Sequence, residues 1–161
     1  RLADIRALKA AGFNVGVVGT GWPSDIPVVG ECPVKHQHHI YTRAKVVLSI
    51  SHENAVDRYF SDRLLIGMAS GTPTIARWFP GIEAEFAFNN DPSDGPVVTD
   101  DPLLMLLPYY KTETDLVDLV AEFVANEDLR RNMGADQRNF IRATASWFSR
   151  IVETVLPVID G

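Results

Sequence analysis

Three segments of this 161-residue chain carry side chains that could do chemistry where helices or strands end. The stretch "YFSDRLLIGMASGTPTIARWFPGIE", residues 59–83, puts Ser61, Asp62 and Arg63 directly before an apolar run. A helix starting there would present free N–H groups and the positive end of its dipole, and an arginine in its first turn would add a forked donor. Such an arrangement binds phosphate oxygens. The competing reading pairs Arg63 with Asp62 or Asp57 at the surface. "GTGWP", residues 19–23, has at Gly19 and Gly21 the short side chains that let backbone N–H groups approach a phosphate, although a plain turn explains one G-x-G equally well. "SHENAVDRYFSDR", residues 51–63, brings His52 and Glu53 directly after an apolar segment, where they could orient a hydroxyl or a phosphate.

Other clusters point less far. His36, His38 and His39 in "KHQHH" match no standard zinc spacing and are expected to line a cleft or face solvent. Residues 90–101 put Gly95 sixth and Asp101 twelfth of a calcium-type loop, but Pro92 and Pro96 occupy ligand places, so a turn is expected. No metal is expected. Trp22, beside the glycine turn, could meet a ring, whereas Trp147 reads as core or interface.

The elements that must position these residues alternate. "RLADIRALKAAG" reads as a helix closed by Gly12, and "FNVGVVG" as a short strand. "KHQHHIYTRA" is helical in spacing and leads into "KVVLSIS", a β-branched run suited to a buried parallel strand. A helix from about Asp62 to Ser70, stopped by Gly71, is followed by "TPTIARW" as a third strand. A further strand is expected around Leu103 to Leu107. "TETDLVDLVAEFVANEDL" begins with a box-like Thr112–Asp115 pair and lines up Leu116, Leu119, Val120, Phe123 and Val124; a last helix runs from about Ala135 to Val155. Alternation of this kind gives an α/β fold, a Rossmann-like open parallel sheet flanked by helices, whose ligands bind beyond the carboxyl ends of the strands.

Composition sets limits. With 46% hydrophobic residues the chain can bury one core, and a single domain over 1–161 is expected. A net charge of −6 argues against nucleic acid or an acidic membrane surface as a partner, and no apolar run approaches the roughly 18 residues of a membrane span. The lone Cys32 fits a reducing compartment, hence a cytoplasmic location. The chain opens at Arg1 inside a helical pattern, which suggests a piece of a longer protein.

"SHENAVDRYFSDRLLIGMASGTPTIARWFPGIEAEF" resembles the donor-binding half of GT-B glycosyltransferases, in particular the group 1, spore-maturation-protein-like branch with an "SDRLFEALACG" type of motif followed by a "PGLEELF" type of turn. The similarity extends loosely to "VVGTGWP", "IYTRAKVVLSIS" and the closing "LRRNMGADQRNFIRATASWFSRIVETV". The resemblance implies one half of a GT-B fold, with the N-terminal acceptor domain missing, that binds a nucleoside-diphosphate sugar as donor substrate without other cofactor or metal. It places Gly19, Gly21, Ser61 and Arg63 at the diphosphate, Val34 to His39 and Tyr41 at the base, and Phe79, Gly81 and Glu83 at the sugar. Arg63 and Glu53 become the candidate catalytic residues. One position departs: where such enzymes often carry a ribose-binding glutamate, this chain has Ile66. The alternative is therefore an inactive nucleotide-sugar-binding or scaffold module of the same fold. An unrelated flavodoxin-like or receiver-like domain is disfavoured, because "VVGTGW" supplies no acidic cluster.

Overall fold

A computed structural model describes residues 1–51, 53–86 and 105–145. The elements run α1 (Leu2–Ala10), β1 (Val17–Val18), β2 (Val28–Gly30), a 3-10 turn (Val34–His36), α2 (Gln37–Tyr41), β3 (Val47–Ser49), α3 (Asp62–Ala69), β4 (Thr74–Arg77), α4 (Ile82–Glu85), β5 (Tyr109–Tyr110), α5 (Glu113–Ala125) and α6 (Glu127–Thr144). All pairings are parallel: β1 with β2, and β4 between β3 and β5. The fold is the expected α/β arrangement, Rossmann-like, with helices covering parallel strands.

The central strand is buried because its side chains are. Thr74, Ile75 and Ala76 of β4 are at most 2% exposed, as a strand covered on both faces requires. On one side α3 lays Leu64 and Met68 against Phe79, Ile82, Phe86 and Leu107. On the other, α5 turns Leu116, Leu119, Val120 and Phe123 toward Leu8, Ile75 and Tyr110. Each such side chain contributes about 1.5–3 kcal/mol of burial. α5 begins where the sequence places it: Thr112 Oγ1 accepts from the Asp115 N–H at 3.2 Å, and the Asp115 carboxylate accepts from the Thr112 N–H at 2.9 Å.

Two close approaches set the depth of the helices. Gly67 has no room for a side chain, since a Cβ there would lie 2.8 Å from Thr74 Oγ1. A methyl at Gly134 of α6 would collide with the Gly71 carbonyl oxygen. Gly71 itself closes α3 at φ +80°, the left-handed region where a side chain is strained, and its N–H donates to the Met68 carbonyl.

Several expectations shift. Met105 to Leu107 form buried irregular chain, and the fifth strand is Tyr109–Tyr110, because Pro108 and the pairing with β4 begin the extended segment later. β2 and α4 carried no signal strong enough to be read. "NEDL" opens α6 instead of ending α5, since Asn126 accepts from the Leu129 N–H at 3.0 Å and caps a new helix. The calcium-type loop, His52, Trp147 and residues 145–155 of the expected last helix lie outside the described residues or at their edge.

Candidate functional site

The carboxyl ends of β3, β4 and β5 point to one edge of the molecule, where an open parallel sheet leaves its ligand crevice. Ser51 follows β3; its Oγ accepts from the Ser61 N–H at 3.3 Å and so joins the strand end to the start of α3. Ser61 is the N-cap residue of α3 in extended conformation, yet its hydroxyl makes no cap bond, and its Oγ is buried with no hydrogen-bond partner among the described residues. The Leu64 N–H donates to the Ser61 carbonyl at 2.9 Å, which leaves the Asp62 and Arg63 N–H groups without a partner among the described residues and open to an anion.

Arg63 stands in the first turn of α3, exposed, and makes no ion pair with Asp62, Asp57 or any other described carboxylate. Tyr41, half-buried at the end of α2, feels its charge. Burial pushes the Tyr41 phenol up, the Arg63 guanidinium pulls it down and Cys32 adds to the rise, so the three residues share one neighbourhood. α2 is tied to the loop after α3 by the Thr72 hydroxyl, which donates to the Tyr41 carbonyl at 2.9 Å. Ile66 is half-buried one turn further along α3.

Other expected residues take structural posts. Gly19 donates its N–H to the Gly30 carbonyl at 2.9 Å, so that group serves the β1–β2 pairing and is not available to a phosphate; Gly21 stays exposed. Gly81 caps α4 at φ +83°, where a Cβ would lie 2.7 Å from Arg58 Cγ and 2.9 Å from Asp57 Oδ1. Its smallness lets the 51–61 loop seat on the 78–82 turn, which the Arg58 N–H to Pro80 carbonyl bond of 2.8 Å secures. Phe79, expected at a sugar, is 1% exposed and belongs to the core, because its ring packs beside Phe60. Gly67 packs against Thr74 and Val47 and opens no space for a ligand at its own position. Glu53 is exposed without an ion pair among the described residues. The His38 and His39 rings lie tilted against one another with centroids 3.8 Å apart, and the described residues hold no cluster of three or more His, Cys, Asp or Glu able to bind a metal ion.

Glu83 is engaged differently from expectation. Burial raises its carboxyl, but donation from Trp78 Nε1 at 2.9 Å and from the Tyr109 side chain outweighs this and holds it below the ordinary carboxylate range.

Sequence reasoning missed a cationic pair at the same edge. Arg77 ends β4 and Lys111 follows β5, on adjacent parallel strands. Asp4 of α1, fully buried, accepts from Arg77 Nη1 at 2.8 Å. Burial and this carboxylate together push the Tyr110 phenol up. Arg77 and Asn54 line two open depressions of about 420 and 350 Å³, the second also bordered by Ala55, Trp78 and Lys111. The available signal was position: Arg77 closes an otherwise apolar strand at its carboxyl end.

Among the described residues no helix is long and apolar enough to cross a membrane. A family model described as glycosyl transferase-like matches residues 2–155. No curated protein and no solved structure gives a match. A match over nearly the whole length, on a parallel α/β sheet, places this chain in the glycosyl transferase-like family.

Proposed function

We propose that this chain is the donor-binding domain of a glycosyltransferase, which holds a nucleoside-diphosphate sugar while the sugar passes to an acceptor hydroxyl. The observation that carries the reading is the start of α3: among the described residues, a buried Ser61 hydroxyl without a partner, Asp62 and Arg63 N–H groups without acceptors, and an exposed Arg63 free of carboxylates. These groups and the exposed Gly21 bind the diphosphate. Tyr41 and the 3-10 turn before it border the base. Glu83, already a hydrogen-bonded carboxylate, sits on the sugar side.

Cleavage of a sugar–phosphate bond builds negative charge on the departing diphosphate. Fixed N–H groups and a guanidinium strengthen their hold as that charge grows, which lowers the barrier without requiring a metal. Glu53, exposed at the loop after β3, orients a hydroxyl. The base that removes the acceptor proton belongs to an N-terminal partner domain, and the half-buried, unpaired Cys32 suits a cytoplasmic setting.

A second reading, an inactive donor-binding module, is favoured by Ile66, which cannot accept hydrogen bonds from ribose hydroxyls. Thermal unfolding with UDP, GDP, ADP and TDP, each free and sugar-linked, tests both. Binding to the native state alone stabilises it by about 2.7 kcal/mol at a hundredfold excess over Kd. One base is expected to raise Tm in the wild type and not in Arg63→Ala. No shift with any compound would refute the donor site. Binding without release of free nucleoside diphosphate, in the full-length protein supplied with acceptor extracts, would favour the inactive module.

A further inference from the structure

The edge beside the proposed diphosphate site has its own chemistry. Arg77 uses only Nη1 for hydrogen bonding among the described residues, to Asp4 at 2.8 Å, with Glu113 3.8 Å from the same nitrogen. The Nε–Nη2 edge of the guanidinium is left over. In this same chain that edge of Arg6 grips the Asp25 carboxylate, Nε to Oδ2 at 2.8 Å and Nη2 to Oδ1 at 3.2 Å. A planar carboxylate matches such a fork better than it matches a point charge. Asp4, fully buried and on the other nitrogen, fixes the direction of Arg77 without occupying the fork.

Two further groups narrow the ligand. Lys111 makes no ion pair among the described residues; its ammonium lies 5.4 Å from the Trp78 ring centre and 5.9 Å from that of Tyr109, at the rim of the depression Arg77 lines. Asn54 lines both depressions, and its Oδ1 is a buried acceptor with no hydrogen-bond partner among the described residues. A buried acceptor left unmet is costly, and a hydroxyl would satisfy it. Trp78, tethered through Nε1 to Glu83, presents a fixed flat surface beside these groups.

A neutral sugar would satisfy Asn54 and leave Lys111 and the Nε–Nη2 edge of Arg77 without an acceptor, although Asp4 and Glu113 already balance the charge of Arg77. Inorganic phosphate would meet Lys111 and the fork and could donate a P–OH to Asn54, but it brings no ring to lie against Trp78. One class of small molecule supplies both a hydroxyl donor and a planar carboxylate next to a ring face. We infer that Arg77, Lys111 and Asn54 form a subsite for a sugar acid, so that the sugar carried by the donor bears a carboxylate. The position of the subsite in the reaction rests on the donor-binding reading above; its ligand chemistry does not.

The test follows the Trp78 indole N–H resonance of the ¹⁵N-labelled chain, assigned with Trp78→Phe, during titration with sodium glucuronate, glucose and sodium pyrophosphate. Glucuronate is expected to move the resonance saturably and to bind roughly tenfold tighter than glucose. Arg77→Lys keeps the charge and removes the fork, and should erase most of that preference. Lys111→Gln, at an exposed position, should weaken glucuronate several-fold while the rest of the spectrum stays native. Equal response to glucose and glucuronate, displacement of glucuronate by pyrophosphate at lower concentration, or no response to glucuronate would each overturn the subsite. In the same samples the Gly21 and Arg63 amides report nucleoside diphosphates. A glucuronate response with silent Gly21 and Arg63 would refute the donor reading alone; the reverse would refute the sugar-acid subsite alone.

Discussion

Replacing Gln137 by leucine should destabilise the protein more than its place on a polar-looking helix suggests. Gln137 of α6 is fully buried. Its Oε1 accepts from the Thr74 N–H at 2.8 Å, and its Nε2 donates to the Thr74 carbonyl at 2.9 Å and to the Leu106 carbonyl at 3.0 Å. One amide therefore clamps the start of β4 to the segment before β5, and so sets where Arg77 and Trp78 emerge. Leucine has nearly the same volume and leaves little cavity, so the loss is polar. At about 1 kcal/mol net per bond, and up to about 3 where a buried group stays unmet, three bonds come to roughly 3–5 kcal/mol. That is a large share of the roughly 5–15 kcal/mol that holds an ordinary domain folded. Urea unfolding followed by circular dichroism measures it, and Tm should fall on the order of 10 °C. Gln137→Glu sharpens the argument. Its carboxylate would face two carbonyl oxygens, so its folded pKa must lie above the unfolded value; the variant should be most stable at low pH and lose stability as pH rises through about 4 and beyond. A loss below about 1 kcal/mol in the leucine variant with unchanged m, or a glutamate variant with no such pH trend, would refute the clamp.

Three other changes have defined outcomes. Gly134→Ala forces α6 off the Gly71 carbonyl and should lose about 3 kcal/mol, the upper end of overpacking, in the same urea assay. Gly81→Ala meets both the positive φ and the Arg58 side chain; it should free the 51–61 loop, seen as faster amide exchange at Arg58, while leaving α5 and α6 protected. The Asp115 carboxyl lies below its ordinary value because the Thr112 N–H and then the Thr112 hydroxyl group bond to it. Its contribution is thus complete above its unfolded pKa and disappears as pH falls through the folded one. The stability gap between wild type and Asp115→Asn should close in acid, and Thr112→Val should lose about 1 kcal/mol at neutral pH.

What the sequence made legible was local. The glycine stops at Gly12 and Gly71, the Thr112–Asp115 box and the apolar stripe of α5 are each encoded within a few residues, and each stands as read. The parallel sheet followed from the order of those elements. What stayed hidden depends on partners far along the chain. Gln137 looks like any polar residue of an exposed helix until Thr74, 63 positions away, is placed beside it. Arg77 reads as the end of a strand until Asp4, 73 positions earlier, holds one nitrogen and leaves the rest. Gly81 and Phe79 were placed at a sugar only by the family resemblance; loop packing holds Gly81, and Phe79 is buried in the core. Ser61 and Arg63 were singled out by type and spacing and Tyr41 by the resemblance, and the fold brings Arg63 and Tyr41 into one another's field.

The most direct test of the central claim is the map of amide resonances that move when the base selected by thermal unfolding is added as its nucleoside diphosphate. The account predicts shifts at Gly21, at Ser61, Asp62 and Arg63, and at Tyr41, with α5 and the outer face of α6 unmoved. Shifts confined to β2, α5 or α6, with the start of α3 silent at saturation, would contradict it.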